Sequence, residues 1–526
     1  MVRGRVIVEE EKPIQQNGKT KGDKGDTDMR QGDVIKGRWG ILAVVLSLTF
    51  MTCIDASIIN VAIHTISKNL SVDLAAMSWV VTSYLMAITS TVLVFGRLGD
   101  MLSKVSIFKF GIVVFTFGSL LCGLAGSLPF LLGARVVQGI GAAASMATNQ
   151  GIITHVFPDH ERGRALGLTG SSVALGNLMG PGLGGLIVSH LDWHVIFLIN
   201  IPIGIVVFLV GQKVLPKRIE KAKATHTTRT AWTTRIKAFW DSIPKDRIDG
   251  KGAGLSALMI ILFVLAINLY RSWGIADPRI LGMFVGSIVL AALFVYVEAH
   301  RHEPLVELTI FKNKLYSLSV FCSLLSFVTI SFMTILVPFY LQDVLRITSF
   351  HAGLLMMTAP LVMMVVAPLS GYTSDKIGSE SLTFFGQCIM VVGLVLVGLF
   401  ISETSPAWLI VALMAVVTMG SAIFQSPNTS LIMSQVPRDK LGVSGSINAL
   451  MRNVGMVTGV SLSTSLLYFF MSAQVGYRVE EYGEGLEGAF VGAMHGVFWV
   501  AACLCSVGVV LTGLRLWVRR REKPNY

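Results

Sequence analysis

The chain has 526 residues, of which 53% are hydrophobic and only 14% charged, with a formal net charge of +12. Soluble domains carry about 25% charged residues, so an ordinary soluble enzyme is excluded. Its 52 glycines show no period and its six cysteines are scattered, which excludes collagen-like and disulfide-framed chains. What remains is an all-α polytopic membrane protein.

Residues 1–38 are polar and charged and read as a disordered cytoplasmic tail, with no apolar core of a cleavable signal. Fourteen apolar stretches follow, each near the ~20 residues a helix needs to cross a bilayer. The first six lie near 39–64, 75–96, 105–126, 129–151, 165–189 and 194–215, and make an N-terminal bundle over 39–215. A basic cytoplasmic segment, 216–251, leads to two inserted spans near 252–270 and 279–299, within 252–300. The last six lie near 316–341, 351–371, 381–401, 407–428, 441–469 and 489–514, and make a C-terminal bundle over 315–515. A basic cytoplasmic tail, 516–526, ends the chain.

Lys and Arg are retained on the cytoplasmic side of a membrane. Placing the N-terminus inside puts 36 of the 43 Lys and Arg in cytoplasmic tails, loops and span ends, five outside, and two within spans, Arg135 and Arg452. The net charge is therefore topological, and nucleic acid is not an expected partner.

An internal repeat divides the spans. Pro158, Gly163, Gly176 and Gly180 recur as Pro437, Gly442, Gly455 and Gly459, offset by 279 residues. Gly96-Arg-Leu-Gly-Asp100 recurs as Gly371-Tyr-Thr-Ser-Asp375, followed by Lys376 and Gly378, offset by 275 residues. Two ordered pairs at nearly one offset indicate two similar halves of six spans with two spans between them. Such halves alternate access to a site near the bilayer midplane in many secondary transporters.

Few residues inside the spans can carry chemistry. A carboxylate deep in a membrane is costly and marks function by default, and Asp55 is the one acid well inside an apolar span. It is the first candidate for a proton-linked group; the alternative is a carboxylate permanently paired to hold two helices together. Arg135 and Gln138 are three residues apart, hence on one helix face, with Gly139 and Gly141 permitting close packing beside them. Arg452 reads as structural. Gly167, Gly176, Gly180, Pro181, Gly184 and Gly185 give small-xxx-small spacing with a proline, which favours close approach and bending against a neighbouring helix. Residues 180–185 also satisfy Gly-x-Gly-x-x-Gly, but no strand precedes them, so a nucleotide site is rejected. No Walker A, His-Glu-x-x-His or Gly-x-Ser-x-Gly sequence occurs, so an ion gradient rather than ATP is the expected energy source. No cofactor or metal is expected.

On these residues the chain resembles the major facilitator superfamily, and within it the fourteen-span drug:proton antiporter family. Gly96 to Lys104 is similar to its loop motif, Arg135 to Gly141 to its span 4 motif, Gly167 to Gly185 to its span 5 antiporter motif, Asp55 to Ile63 to its span 1 signature, and Trp79 to Ala87 to its span 2 signature. The resemblance implies two six-helix bundles, a two-helix insert, and export of lipophilic, often cationic, compounds in exchange for protons. It implies proton coupling or cation binding at Asp55 and proton transfer at Arg135. It further implies gating at Asp100 and Asp375, and sealing of one state by the span 5 glycines. Met101, Ser103 and Val105 depart from the loop motif and leave Lys104 as its one basic residue; His64 replaces a proline of the span 1 signature. His64, His155, His194 and Glu298 are further candidates for proton transfer. The expected partners are the bilayer, protons and small lipophilic substrates, with the chain acting as a monomer in a bacterial plasma membrane. A dedicated exporter of one metabolite is the alternative, and a membrane sensor using residues 213–251 is a third reading.

Overall fold

Lipid offers the backbone no hydrogen-bond partners, so apolar runs of this length satisfy their own amides as helix. The computed structural model describes residues 37–216 except 73, 249–301 except 275 and 276, and 303–522 except 480, 481 and 484. The expected N-terminal tail and nearly all of the basic segment 216–251 lie outside the described residues.

Among the described residues no strand occurs, and fourteen helices are long and apolar enough to cross a membrane. In order they are α1 (Arg38–Leu70), α2 (Leu74–Met101), α3 (Lys104–Cys122), α4 (Leu128–Val156), α5 (Asp159–His190), and the pair α6 (Val195–Leu198) and α7 (Asn200–Val214). The insert is α8 (Gly250–Trp273) and α9 (Pro278–Ala299). The second half is α10 (Lys314–Phe339), the pair α11 (Ser349–Met356) and α12 (Thr358–Ile377), α13 (Ser379–Phe400), α14 (Ala407–Ser434), α15 (Leu441–Val475) and α16 (Glu487–Glu522). Two expected spans are thus each interrupted at one residue, Ile199 and Met357. A third, α10, ends in a π turn at Tyr340–Val344, just after Pro338, whose missing N–H removes a helical hydrogen bond there.

The repeated glycines explain how helices pack without a hydrophobic drive between them. A Cβ on Gly176 or Gly180 would strike α1 at Cys53 and Ser57, and one on Gly455 or Gly459 would strike α10 at Phe327 and Val328. The two halves therefore use the same glycines for the same internal contact. The insert touches both halves through α8: Thr82 on α2 donates to Asn268 at 3.4 Å, and the Tyr270 hydroxyl meets Ser465 of α15 at 2.8 Å. Helix α16 continues through Glu522, past the expected start of the tail at 516. Arg515, the last residue of the expected bundle, is 2% exposed and donates to the hydroxyls of Ser319 and Thr383.

Candidate functional site

Asp55 on α1 is fully buried and receives three donors from two other helices. Its Oδ2 pairs with Arg135 Nη1 of α4 at 2.6 Å, and its Oδ1 accepts from Gln138 Nε2 and from Asn200 Nδ2 of α7, each at 2.8 Å. Arg135 is equally buried. It donates through Nε to the Val80 carbonyl of α2 and through Nη1 to Gln138 Oε1, and its guanidinium lies 4.1 Å from the Tyr84 ring centroid. Gln138 also donates to Ser119 of α3 at 2.8 Å. Removing two charges from water is costly unless pairing and hydrogen bonds compensate, and this cluster spends five helices on that compensation. The three candidates Asp55, Arg135 and Gln138 are brought together. Asn200, Ser119 and Tyr84, none of them a candidate in the sequence, complete them; a single amide inside an apolar run is the one trace Asn200 leaves there.

The repeated Gly-Asp motifs meet opposite halves of the molecule. Asp100, at the end of α2, accepts from the Gly442 and Val443 amides in the first turn of α15, both at 2.7 Å. Asp375, near the end of α12, accepts from the Gly163 and Arg164 amides near the start of α5, at 2.8 and 2.9 Å. At Asp100 the carboxylate satisfies free N–H groups in the first turn of α15 and opposes the positive end of its dipole, whereas the amides that meet Asp375 are the fifth and sixth of α5. These are two crossed latches, one running from each half to the other. They fit only because of the glycines: a Cβ on Gly371 would stand 2.1 Å from the Gly163 carbonyl, and one on Gly96 would stand 2.7 Å from the Gly442 carbonyl.

The latches are not equal. Lys104 is buried, pairs with Asp100 at 2.9 Å and donates to the Arg438 carbonyl at 3.3 Å, so it spans both halves. Lys376, which follows Asp375, instead lies over the Tyr372 ring, 4.4 Å from the centroid. Gly378 closes α12 at φ 94°, a left-handed conformation suited to glycine.

The span 5 glycines divide by face. Gly176, Gly180 and Gly184 press on α1, and Gly167 presses on Ala367 and Pro368 of α12. Gly185 faces open space, where a Cβ would meet nothing within 4 Å, so the close approach expected there is absent. Pro181 lies within a helix that runs on to His190. None of the described histidine candidates joins Asp55. The buried Nδ1 of His155 has no partner, and His194 binds Asp192 and the Ala125 carbonyl. That backbone amide and ring hold the Asp192 carboxyl below its ordinary range. Glu298 accepts from the Val306 amide at 2.9 Å, beside the insert. The His64 side chain lies outside the described residues.

Along both seams the halves touch from the latches inward and then part. On α15, Gly445, Asn448 and Arg452 meet Ala147, Gln150 and Met146 of α4, whereas Met456, one turn on, is 45% exposed. On α5, Gly163 and Gly167 meet α12, Ser171 donates to the Met364 carbonyl at 2.7 Å, and then Leu175 and Met179 emerge. The contacts between the halves thus lie toward the latch end, and beyond Arg452 and Ser171 the seam residues Met456, Leu175 and Met179 are exposed.

A profile of the Major Facilitator Superfamily matches residues 45–460. The riboflavin transporter RibZ of Clostridioides difficile is 31% identical over 480 residues, 91% of this chain and 97% of that one. The multidrug resistance protein Stp of Mycobacterium tuberculosis is 29% identical over 449 residues, 84% of this chain and 78% of that one. The solved structure of the proton:xylose symporter XylE, bound to a bromodeoxyglucose, superposes with a TM-score of 0.59 at 13% identity, covering 90% of this chain and 94% of that one. With fourteen apolar helices, two halves related by repeated glycines, and a profile match over most of its length, the chain belongs to the Major Facilitator Superfamily.

Proposed function

We propose that the protein is a proton-coupled antiporter that exports lipophilic drugs or toxic compounds across the bacterial plasma membrane. The basic latch end, with both termini, faces the cytoplasm, as the Lys and Arg distribution favours. One observation carries the coupling: the buried ion pair of Asp55 and Arg135 with its amide donors. A proton delivered to Asp55 removes the charge on which that cluster rests, and so shifts the balance between closed and open packings of the helices around it. In this structure Asp55 is shut off from solvent, so the proton has to enter through rearrangement of α1, α4 and α7. The relatives named as multidrug resistance proteins support the export of varied compounds.

The test is proteoliposomes with an imposed pH gradient and a panel of fluorescent lipophilic compounds, comparing wild type with Asp55→Asn. Gradient-driven extrusion is expected to fall at least tenfold in the variant, while downhill equilibration persists. Extrusion that ignores the gradient, or survives the substitution, would overturn the assignment. The match to a riboflavin transporter favours a second reading, a dedicated exporter of one metabolite; transport of a single compound class from the panel would select it.

A further inference from the structure

We infer that Arg452 is the charge-recognition residue of the transport site, and that its cargo is a lipophilic compound bearing a carboxylate or similar anionic group. This rests on the exporter reading and replaces the cationic cargo that the family resemblance implies.

Arg452 lies on α15 against Met146 of α4, is only partly buried, and stands one turn before the exposed Met456. Its Nη2 lies 3.9 Å from Met146 Sδ, a weak acceptor. Among the described residues no carboxylate pairs with it and no backbone carbonyl accepts from it, so nothing shows the structural role its sequence context suggested. Arg135 shows what a fully compensated arginine looks like in this protein: fully buried, ion-paired, and bonded to a carbonyl.

The acids that could have offset Arg452 are already engaged. Asp55 is held by Arg135, Gln138 and Asn200, Asp100 by Lys104 and two amides, and Asp375 by two amides. Among the described residues, therefore, no carboxylate offsets the charge of Arg452. An arginine inside a span is stabilised by pairing, and an anion reaching it supplies the missing partner with a geometry suited to bidentate bonding. Beside the guanidinium lies Met146, and a thioether side chain adapts to varied apolar bodies. The pairing chemistry thus selects the anionic head, and the methionine tolerates the rest.

The test uses three probes with one fluorescent body: pyrenebutyrate, its methyl ester, and pyrenylbutyl-trimethylammonium. Binding to the full chain is read by energy transfer from tryptophan, with no gradient present. Wild type is expected to bind pyrenebutyrate about tenfold more tightly than the ester, and the ammonium probe most weakly. Arg452→Gln is expected to erase the tenfold preference by weakening pyrenebutyrate alone, with ester binding unchanged, and Arg452→Lys to keep part of it. A wild type that prefers the ester or the ammonium probe, or an Arg452→Gln variant that still prefers the acid, overturns the inference. If Arg452→Gln does not fold, the wild-type ranking and Arg452→Lys decide. Extrusion under a pH gradient is the separate arm. Selective anion binding without gradient-driven export would sink the proton coupling and leave this inference standing. Gradient-driven export of all three probes alike would do the reverse.

Discussion

At the scale of single residues, the energetics concentrate on Asp55 and its donors. Leaving one member of a buried ion pair alone costs roughly 3–5 kcal/mol, so Arg135→Ala is expected to lower stability by about that much in thermal unfolding in detergent. Removing both charges, as Asp55→Asn with Arg135→Gln, is expected to recover most of the loss. Asn200→Ala removes one hydrogen bond to the carboxylate, and roughly 1.5–3 kcal/mol is expected. Outside the spans, Glu307 pairs with Lys440 at 2.6 Å, and the hydrogen bonds from Lys440 and Thr309 hold its carboxyl below the ordinary range. Its folded value being depressed, the pair stabilises above the unfolded carboxylate range and loses that contribution as pH falls through the folded value. Comparing unfolding of wild type and Glu307→Gln between neutral and mildly acidic pH checks the sign: the difference is expected to shrink on acidification. The rarity of charge inside apolar spans is what made Asp55 and Arg135 legible in the sequence. Their fourth partner was not, because an amide in an apolar run carries no mark of which helix it will face. The burial of Lys104 and Arg515 escaped for a related reason, since a cation at a span end reads as solvated until the neighbouring helices are placed.

At the scale of elements, two contrasts follow from which helix faces meet. Gly180→Ala would place its Cβ 1.8 Å from Ser57 Oγ, whereas Gly185→Ala meets nothing within 4 Å. The first is expected to cut folded yield severely and the second to leave yield and transport near wild type, as gel filtration and the extrusion assay would show. The latches make the second contrast. Asp100→Asn and Asp375→Asn each replace a carboxylate that accepts two amide hydrogen bonds, and the Asp100 variant also removes the charge paired with buried Lys104. Both are expected to shift the population toward opening at the latch end, Asp100→Asn more strongly. Labelling of single cysteines placed near the start of α5 and of α15 would measure this. The spans themselves were legible as apolar runs of the right length, and the repeated glycines make the same internal contact in each set of helices. The breaks at Ile199 and Met357 were not, since neither position holds glycine or proline and tertiary packing decides them. Nor was the crossing of the latches, because a repeat shows that two motifs correspond without showing that each reaches into the other half.

At the scale of the whole molecule, the seam contacts lie toward the latch end, with Ser171 and Arg452 marking where the halves part. Residues at such a pivot move least when the halves rock, so Arg452 can face either opening without carrying its own charge far across the bilayer. The electrical work of a cycle is then set by what is exchanged. Export of a monovalent cation for one proton moves no net charge. Export of a monovalent anion for one proton moves two charges in the direction favoured by a negative interior, about 4.6 kcal/mol per 100 mV at ~2.3 kcal/mol for each. An arginine without a carboxylate would thereby make the transporter voltage-driven as well as acid-driven. Clamping the potential at zero with valinomycin and matched potassium is expected to slow extrusion of pyrenebutyrate at constant pH gradient, and a potential imposed alone, inside negative, is expected to sustain it.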